Sequence, residues 1–378
     1  MIVDTVMLVI CGVTLVLALT TPYLNAFFRR PKTDTDDALL SSLPPVTIII
    51  TSHGNARQLD EHLPLFLTQE YEPGYEVIIV GERNDHQTED ILKRYSGHPH
   101  LYSTFIPETS RYMSRKKLAI TLGMKAAKNE WVVITDPTCK PNTTHWLSTL
   151  SAHFTDDTDM VLGYTNYDTS APDYYRFEHL YTALYIFREA QQHTAYRTNC
   201  YHLAIRKKVF LDGNGFQGNL KYTISEYDYL VNKFADGHTR LCLHEDGWMT
   251  EDTPTVKQWE NKHIFLRETI NHLRHTRRHY LLYHIDQWAL YLNYAAIGCA
   301  TVFGIVRHQW MACAVAFVAL CITVCLRMMI AKRALEEYGQ PIAAWKTIPY
   351  EMSMIWRNIR NRIRYENADK YDFISHKV

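Results

Sequence analysis

The sequence predicts an α/β domain built on a mostly parallel sheet and flanked by transmembrane helices. Short β-branched runs alternate with helical patterns between residues 46 and 165, which is how a parallel sheet with crossover helices reads. An uncharged stretch of 24 residues, Thr5 to Phe28, precedes that alternation, and two further apolar stretches follow it. With 378 residues, 47% of them hydrophobic, the chain can bury a full domain core, so disorder and low complexity are excluded as its main theme.

Taken in order, the first element is the run containing VMLVICGVTLVLALT, longer than the roughly 20 residues needed to cross hydrocarbon. A cleaved signal peptide needs a basic start and a small-residue cleavage site, whereas here Asp4 precedes the run and Arg29, Arg30 and Lys32 follow it. Residues 1–30 therefore read as an anchor whose basic, downstream side faces the cytoplasm. The domain that follows, 44–270, carries strand runs VTIII (46–50), EVIIV (76–80), LYSTFI (101–106), WVVIT (131–135) and DMVLGYT (159–165). Between them, Ala56 to Gln69 and Lys116 to Lys128 have apolar residues at spacings of three and four, as crossover helices do. Later, Trp288 to Val306 and Trp310 to Leu326 are separated only by Arg307, His308 and Gln309, and read as a transmembrane hairpin in the region 271–333. Basic residues on both flanks (Arg274, Arg277 and Arg278; Arg327, Lys332 and Arg333) put both ends on the cytoplasmic side; a buried or re-entrant pair is the alternative. In the tail, 334–378, MIWRNIRNRIRY spaces Ile355, Ile359 and Ile363 four apart among arginines, a basic amphipathic helix suited to an anionic inner leaflet or to solvent.

Composition narrows the function classes. Lys plus Arg equals Asp plus Glu at 40 each, so no charge excess points to nucleic acid as a partner. Eight cysteines include no CxxC pair; five lie in the apolar stretches, and Cys139, Cys200 and Cys242 are scattered, which excludes a zinc knuckle or disulfide scaffold and suits a reducing compartment. The 19 histidines are dispersed and form no recognised ligand set. A dehydrogenase would need GxGxxG after the first strand, where TSHGN offers Gly54 alone, and a GxxxxGK[ST] phosphate loop is absent. Open α/β sheets bind ligands just past the carboxyl ends of their strands, here Thr51, Ser52 and His53, then Glu82, then Asp136, Pro137 and Thr138.

The ordered set PPVTIIITSHGN, EVIIVGERNDHQTEDIL, SRKKLAITLGMKAAKNEWVVITDPTCKP, YRTNCYHLAIRK, GNGF and SEYDYLVNKFA, between Pro44 and Thr269, resembles a bacterial family 2 glycosyltransferase with the GT-A fold, a Rossmann-like nucleotide-sugar-binding architecture. The resemblance implies a nucleotide-sugar donor, inversion at the anomeric carbon and a divalent metal, Mg²⁺ or Mn²⁺, on the donor diphosphate. Asp136 falls where the family has TDADC; here the segment reads TDPTC, with Thr138 replacing the second, metal-holding carboxylate. By the same match, Asp136 is a donor and metal ligand, and Glu82 stands where an aspartate bonds the nucleoside. Thr51 and Ser52 would meet the base, and Lys116 would face the donor. An acceptor hydroxyl attacking the anomeric carbon must lose a proton to a carboxylate. The family places it in the segment that here reads SEYDYL, so Asp228 is the candidate base, with Glu226 as the alternative because Tyr227 separates a normally adjacent pair. Ser225 with Asp228 three residues on also fits a helix-capping arrangement without catalysis. Gln258-Trp259-Glu260-Asn261-Lys262 does not satisfy the QxxRW of processive members, which implies limited transfer; Trp259 is the candidate to stack on an acceptor sugar, interfacial anchoring being the other reading.

These expectations combine into an inner-membrane enzyme, its catalytic domain cytoplasmic, that passes a sugar to a lipid-linked or cell-envelope glycan acceptor. The substituted metal motif and split acidic pair motivate an alternative, a non-catalytic scaffold or glycan-binding protein of the same fold.

Overall fold

The computed structural model describes residues 5–32, 42–107, 114–274 and 276–373. The chain begins with α1 (Thr5–Thr20), followed by β1 (Val46–Thr51), α2 (Ala56–Leu67), β2 (Tyr75–Glu82), α3 (His86–Arg94), β3 (Leu101–Ile106), α4 (Arg115–Ala126) and β4 (Trp131–Thr135). Next come β5 (Cys139–Pro141), α5 (Trp146–Ser151), β6 (Met160–Gly163), β7 (Thr165–Tyr167), α6 (Asp173–Gln192), β8 (His202–Arg206), α7 (Lys207–Asp212), α8 (Glu226–Phe234), β9 (Thr239–Cys242) and β10 (Met249–Glu251). The remainder is helical: α9 (Val256–His272), α10 (Thr276–Val306), α11 (Trp310–Glu337) and α12 (Thr347–Glu366). Two compact units result, a sheet unit (31–171, 186–274 and the chain after 364) and a helical unit (up to residue 30, 172–185 and 275–363). The helical unit thus takes 172–185 from within the stretch whose sequence reads as the sheet domain, and most of α12 from the tail.

The sheet unit is built on seven strands in the order β3-β2-β1-β4-β8-β6-β9. The first four are mutually parallel, β8 runs antiparallel to β4 and β6, and β6 pairs parallel with β9. Every residue of β1 and β4 is buried, as a strand covered on both faces requires, which explains their unbroken apolar sequences. Ile48, Ile50, Val77, Ile79 and Val133 meet Leu63 and Phe66 of α2 and Trp146 of α5 in one core. A Cβ at Gly123 would fall 2.7 Å from Ile49 Cγ2, so glycine there lets α4 lie close on β1. The run 159–165 does not form one strand. It divides into β6 and β7 because the chain leaves the large sheet there and enters a second sheet of order β5-β10-β7.

In the helical unit, Thr5–Leu24, Arg278–Val306 and Trp310–Glu337 are long and apolar enough to cross a membrane. Ala18, Ala300, Ala316 and Ala319 are buried at their contacts, the small residues that let such helices approach closely, while Val9, Val16, Val302 and Phe317 remain exposed. Asn293 donates to the Thr323 hydroxyl at 2.8 Å between α10 and α11. Arg327 is buried between Asp286 and Glu351, its guanidinium 2.7 Å from each. Asn25 Nδ2 donates to Glu351 (2.7 Å) and Asp286 (3.3 Å), and the Tyr181 hydroxyl donates to Asp286 at 2.8 Å. On α12 the exposed apolar residues are Met352, Trp356, Ile359 and Ile363, one stripe at helical spacing; Ile355, assigned to the stripe from sequence, is half-buried instead.

Candidate active site

Parallel pairing decides where the loops emerge. With Thr51 opposite Val80 and Ile50 opposite Thr135, the ends of β1, β2 and β4 lie at one edge, which brings together Thr51, Ser52, Glu82 and Asp136. Antiparallel β8 starts at the same edge: Thr135 pairs with His202 and its hydroxyl donates to the Tyr201 carbonyl at 2.8 Å, so Tyr201 stands beside Asp136. The second sheet adds a further residue. Glu251 pairs with Cys139 on one side and Tyr167 on the other, and the Asp252 N–H donates to the Thr138 carbonyl at 2.9 Å.

Asp136 and Lys116 form the centre of this edge, with Lys116 Nζ 2.5 Å from Asp136 Oδ2. Oδ1 accepts from the Thr138 N–H (3.1 Å) and hydroxyl (2.8 Å). Burial opposes both charges, but their mutual attraction prevails, holding the Asp136 carboxyl below 3.8 and the Lys116 ammonium above 10.5. Lys116 also lies 5.2 Å from the ring centroids of both Tyr201 and Tyr227, a cation–π arrangement.

The three basic residues that open α4 take three different partners. Arg115 Nε donates to Glu82 at 2.5 Å, where His53 Nδ1 also approaches to 2.7 Å. Lys116 takes Asp136. Lys117, fully buried, donates to the carbonyls of Asn219 (2.9 Å), Tyr222 (2.6 Å) and Ile224 (2.9 Å) and to the Asn219 side chain, which fixes the loop leading into α8. On α8, Glu226 accepts from the Ser114 hydroxyl at 3.2 Å. Asp228 accepts the Thr198 N–H at 3.0 Å, with Arg197 4.0 Å away, and burial pushes its carboxyl above the ordinary value despite that arginine. The capping explanation for these acids does not hold. Ser225 has a left-handed backbone (φ 71°), makes no side-chain cap, and its hydroxyl donates to the Ile224 carbonyl at 2.5 Å. Ser52 pairs with the Thr88 hydroxyl at 3.1 Å, while the Thr51 hydroxyl is buried without a hydrogen-bond partner among the described residues.

Trp259 is 7% exposed and packs edge-on against Tyr167 and His263, with centroids 5.9 and 4.7 Å apart. Its ring is therefore part of the packing of α9, not an open platform for an acceptor sugar. Sequence reasoning missed Tyr201, Arg197, Tyr167, Lys262 and Glu251. Lys262 donates to the Tyr167 hydroxyl at 2.6 Å and lies 5.8 Å from the Tyr201 ring centroid. Burial raises the Glu251 carboxyl to about 7, with Lys262 opposing the shift. Arg197 and Tyr201 lie inside the segment YRTNCYHLAIRK and Lys262 closes the stretch that fails QxxRW, but none was singled out there; the Glu251-Asp252 pair is a local acidic doublet, and no motif marks Tyr167.

A divalent ion takes a shell of several oxygen ligands. Among the described residues no group of three His, Cys, Asp or Glu is placed to hold a metal. Both Asp136 oxygens are engaged by Lys116 and Thr138, so the expected metal ligand is arranged as the partner of an ammonium.

The sequence model of glycosyl transferase family 21 matches residues 6–358. The chain belongs to glycosyl transferase family 21. The motifs pointed to family 2; the fold and the class of reaction they implied are those of this family 21 enzyme, a glycosyltransferase with a GT-A fold. Among solved structures, the glycosyltransferase is similar to the mannosyltransferase PcManGT from Pyrobaculum calidifontis, in complex with GDP-Man and Mn²⁺, with a TM-score of 0.55 and 17% identity over 93% of this chain and 99% of that one. Similarity to S. aureus TarS 1-349 in complex with UDP-GlcNAc is weaker, with a TM-score of 0.43 and 13% identity over 85% of this chain and 90% of that one. No curated protein matches the glycosyltransferase in sequence.

Proposed function

We propose that this glycosyltransferase takes a sugar from a nucleotide-sugar donor and transfers it, with inversion, to a lipid-linked or envelope glycan acceptor at a membrane, its sheet unit on the cytoplasmic side. The observation that carries the proposal is the buried Lys116–Asp136 pair where the parallel strands of a GT-A sheet end. As the sugar leaves, the departing diphosphate gains negative charge, and Lys116, kept protonated by Asp136, supplies a fixed positive charge for it. Glu82, oriented by Arg115 and His53, accepts hydrogen bonds from the nucleoside, and Thr51 and Ser52 line its base.

Asp228 takes the proton of the attacking hydroxyl. Burial raises its proton affinity, and the Thr198 N–H and Arg197 hold it in place. Glu226, bonded to Ser114, is the alternative base. Three apolar helices and the exposed stripe of α12 support the membrane setting, and basic flanks support the orientation. No observation favours the scaffold reading over this one.

The test is nucleoside diphosphate release by the detergent-purified chain across a panel of nucleotide sugars, with membrane lipid extract as acceptor. Acceptor-dependent release is expected with one donor. Asp228→Asn should keep donor binding and lose roughly 10²- to 10⁴-fold in transfer. Full transfer by a folded Asp228→Asn variant removes that residue from the base role, and absence of release with every donor and extract refutes the donor assignment.

A further inference from the structure

One buried carboxylate at the active edge has no part in the scheme above. Glu251 closes β10 and is 7% exposed, yet its Oε2 has no hydrogen-bond partner among the described residues. Lys262, Asp136 and Lys116 are the main charges acting on it, so it lies beside the Lys116–Asp136 pair. Its pairing explains the position: β10 holds it between Cys139, three residues past Asp136, and Tyr167, the hydrogen-bond partner of Lys262.

The chemistry of the surroundings selects the ligand. A carboxylate next to Asp136 repels a diphosphate, so Glu251 does not hold phosphate. No cluster among the described residues completes a cation site around it. A neutral, hydroxyl-bearing group remains, because a carboxylate oxygen without a partner accepts hydrogen bonds from hydroxyls. The half-buried ring of Tyr201, packed edge-on against Tyr227 with 5.3 Å between centroids, supplies an apolar face that a pyranose also needs, and the Tyr227 hydroxyl is buried without a hydrogen-bond partner among the described residues. In a nucleotide sugar the transferred ring is bonded directly to the diphosphate. A hydroxyl acceptor adjacent to the diphosphate charge therefore meets that sugar.

We infer that Glu251 accepts hydrogen bonds from hydroxyls of the transferred sugar and selects the donor by its sugar. This rests on the nucleotide-sugar reading of the site.

The experiment titrates the full detergent-purified chain, wild type, Glu251→Gln and Glu251→Asp, with the nucleotide sugar that supports release and with its nucleoside diphosphate. Glu251→Gln is expected to bind the nucleotide sugar about 10-fold more weakly and the diphosphate unchanged. Discrimination between donors epimeric at one hydroxyl should narrow in parallel, and Glu251→Asp should recover part of it. Unchanged nucleotide-sugar binding overturns the inference, and so does an equal loss for both ligands, which would assign Glu251 to the nucleotide pocket or the fold. A wild-type chain that binds no nucleotide sugar refutes the donor reading itself, and this assignment falls with it.

Discussion

Replacing Arg327 with methionine tests how the helical unit is held together. The arginine side chain is fully buried, Asp286 and Glu351 lie 2.7 Å from its two terminal nitrogens, and both acids share Asn25 as a further donor. Removing the one positive charge leaves two neighbouring carboxylates buried without a counter-charge. Breaking a buried ion pair in this way costs about 3–5 kcal/mol, because the remaining charges keep their desolvation penalty. Two carboxylates are stranded here, so the upper part of that range applies. The assay is thermal unfolding in detergent, where a loss of that size lowers the midpoint on the order of 10 °C. Neutralising the acids as well, in Arg327→Met with Asp286→Asn and Glu351→Gln, should recover most of the loss, since the stranded charges are gone and the amides still accept from Asn25 and Tyr181. A single variant as stable as the wild type, or a triple variant no better than the single one, would refute the argument.

Gly163→Ala should destabilise the sheet unit by about 1–3 kcal/mol, because the new Cβ would fall 2.0 Å from Nδ1 of His202, a ring whose Nε2 accepts from the Trp146 indole N–H at 3.2 Å; an unchanged denaturation midpoint would contradict this. Glu251 carries a pH signature of its own. With its carboxyl raised from 4.5 to about 7 by burial, against Lys262 and Lys116 and with Asp136 and Asp252 adding to the rise, the folded state holds a proton the unfolded state has released between those values. The wild type should therefore lose up to about 3 kcal/mol relative to Glu251→Gln as pH rises from 4.5 past 7, and parallel unfolding curves across that range would refute it. For α12, tryptophan emission in nanodiscs containing anionic lipid should be quenched by brominated lipid, and Trp356→Phe should remove part of that quenching; equal quenching in both proteins would take the exposed stripe off the membrane surface.

Much of the sheet unit was legible because its central strands obey a one-dimensional rule. β1, β2 and β4 are buried on both faces, so they appear as continuous apolar runs, and their carboxyl ends could be named from sequence as the binding edge. Asp136 was named that way, and Lys116 from the family resemblance. Glu251 and Tyr167 were not, since they reach the edge through a three-stranded sheet whose strands are three residues each and come from positions 139, 165 and 249. Strands that short carry no periodicity, and their pairing depends on tertiary contacts. The same second sheet cut the run 159–165 in two. Trp259 shows a different limit: an aromatic residue near a motif looks like a stacking platform until its ring is found packed edge-on against Tyr167 and His263.

Lys117 and the strand-end edge of the sheet unit differ in how their buried polar groups are met. Lys117 has to carry a charge into the interior, and it is met by three carbonyls and an amide oxygen of the loop before α8, so nothing is left for a ligand to complete. At the edge a few residues away, Thr51 Oγ1, Arg115 Nη2, Tyr227 OH and Glu251 Oε2 are all buried without hydrogen-bond partners among the described residues. Each such atom costs about 1–3 kcal/mol, and a fold able to surround a lysine with oxygens is not short of ways to satisfy a hydroxyl. Groups left open at the convergence of strand ends weaken the free protein and strengthen whatever complex fills them, provided the ligand brings both donors and acceptors. On the proposed function, a sugar joined to a nucleotide brings both along its length: acceptors of the base and ribose toward Thr51 and Arg115, hydroxyls of the sugar toward Tyr227 and Glu251. The stability the sheet unit forgoes at this edge is thus available as binding energy for a donor, and for that reason Glu251→Gln should be the more stable protein above pH 7 and the poorer binder.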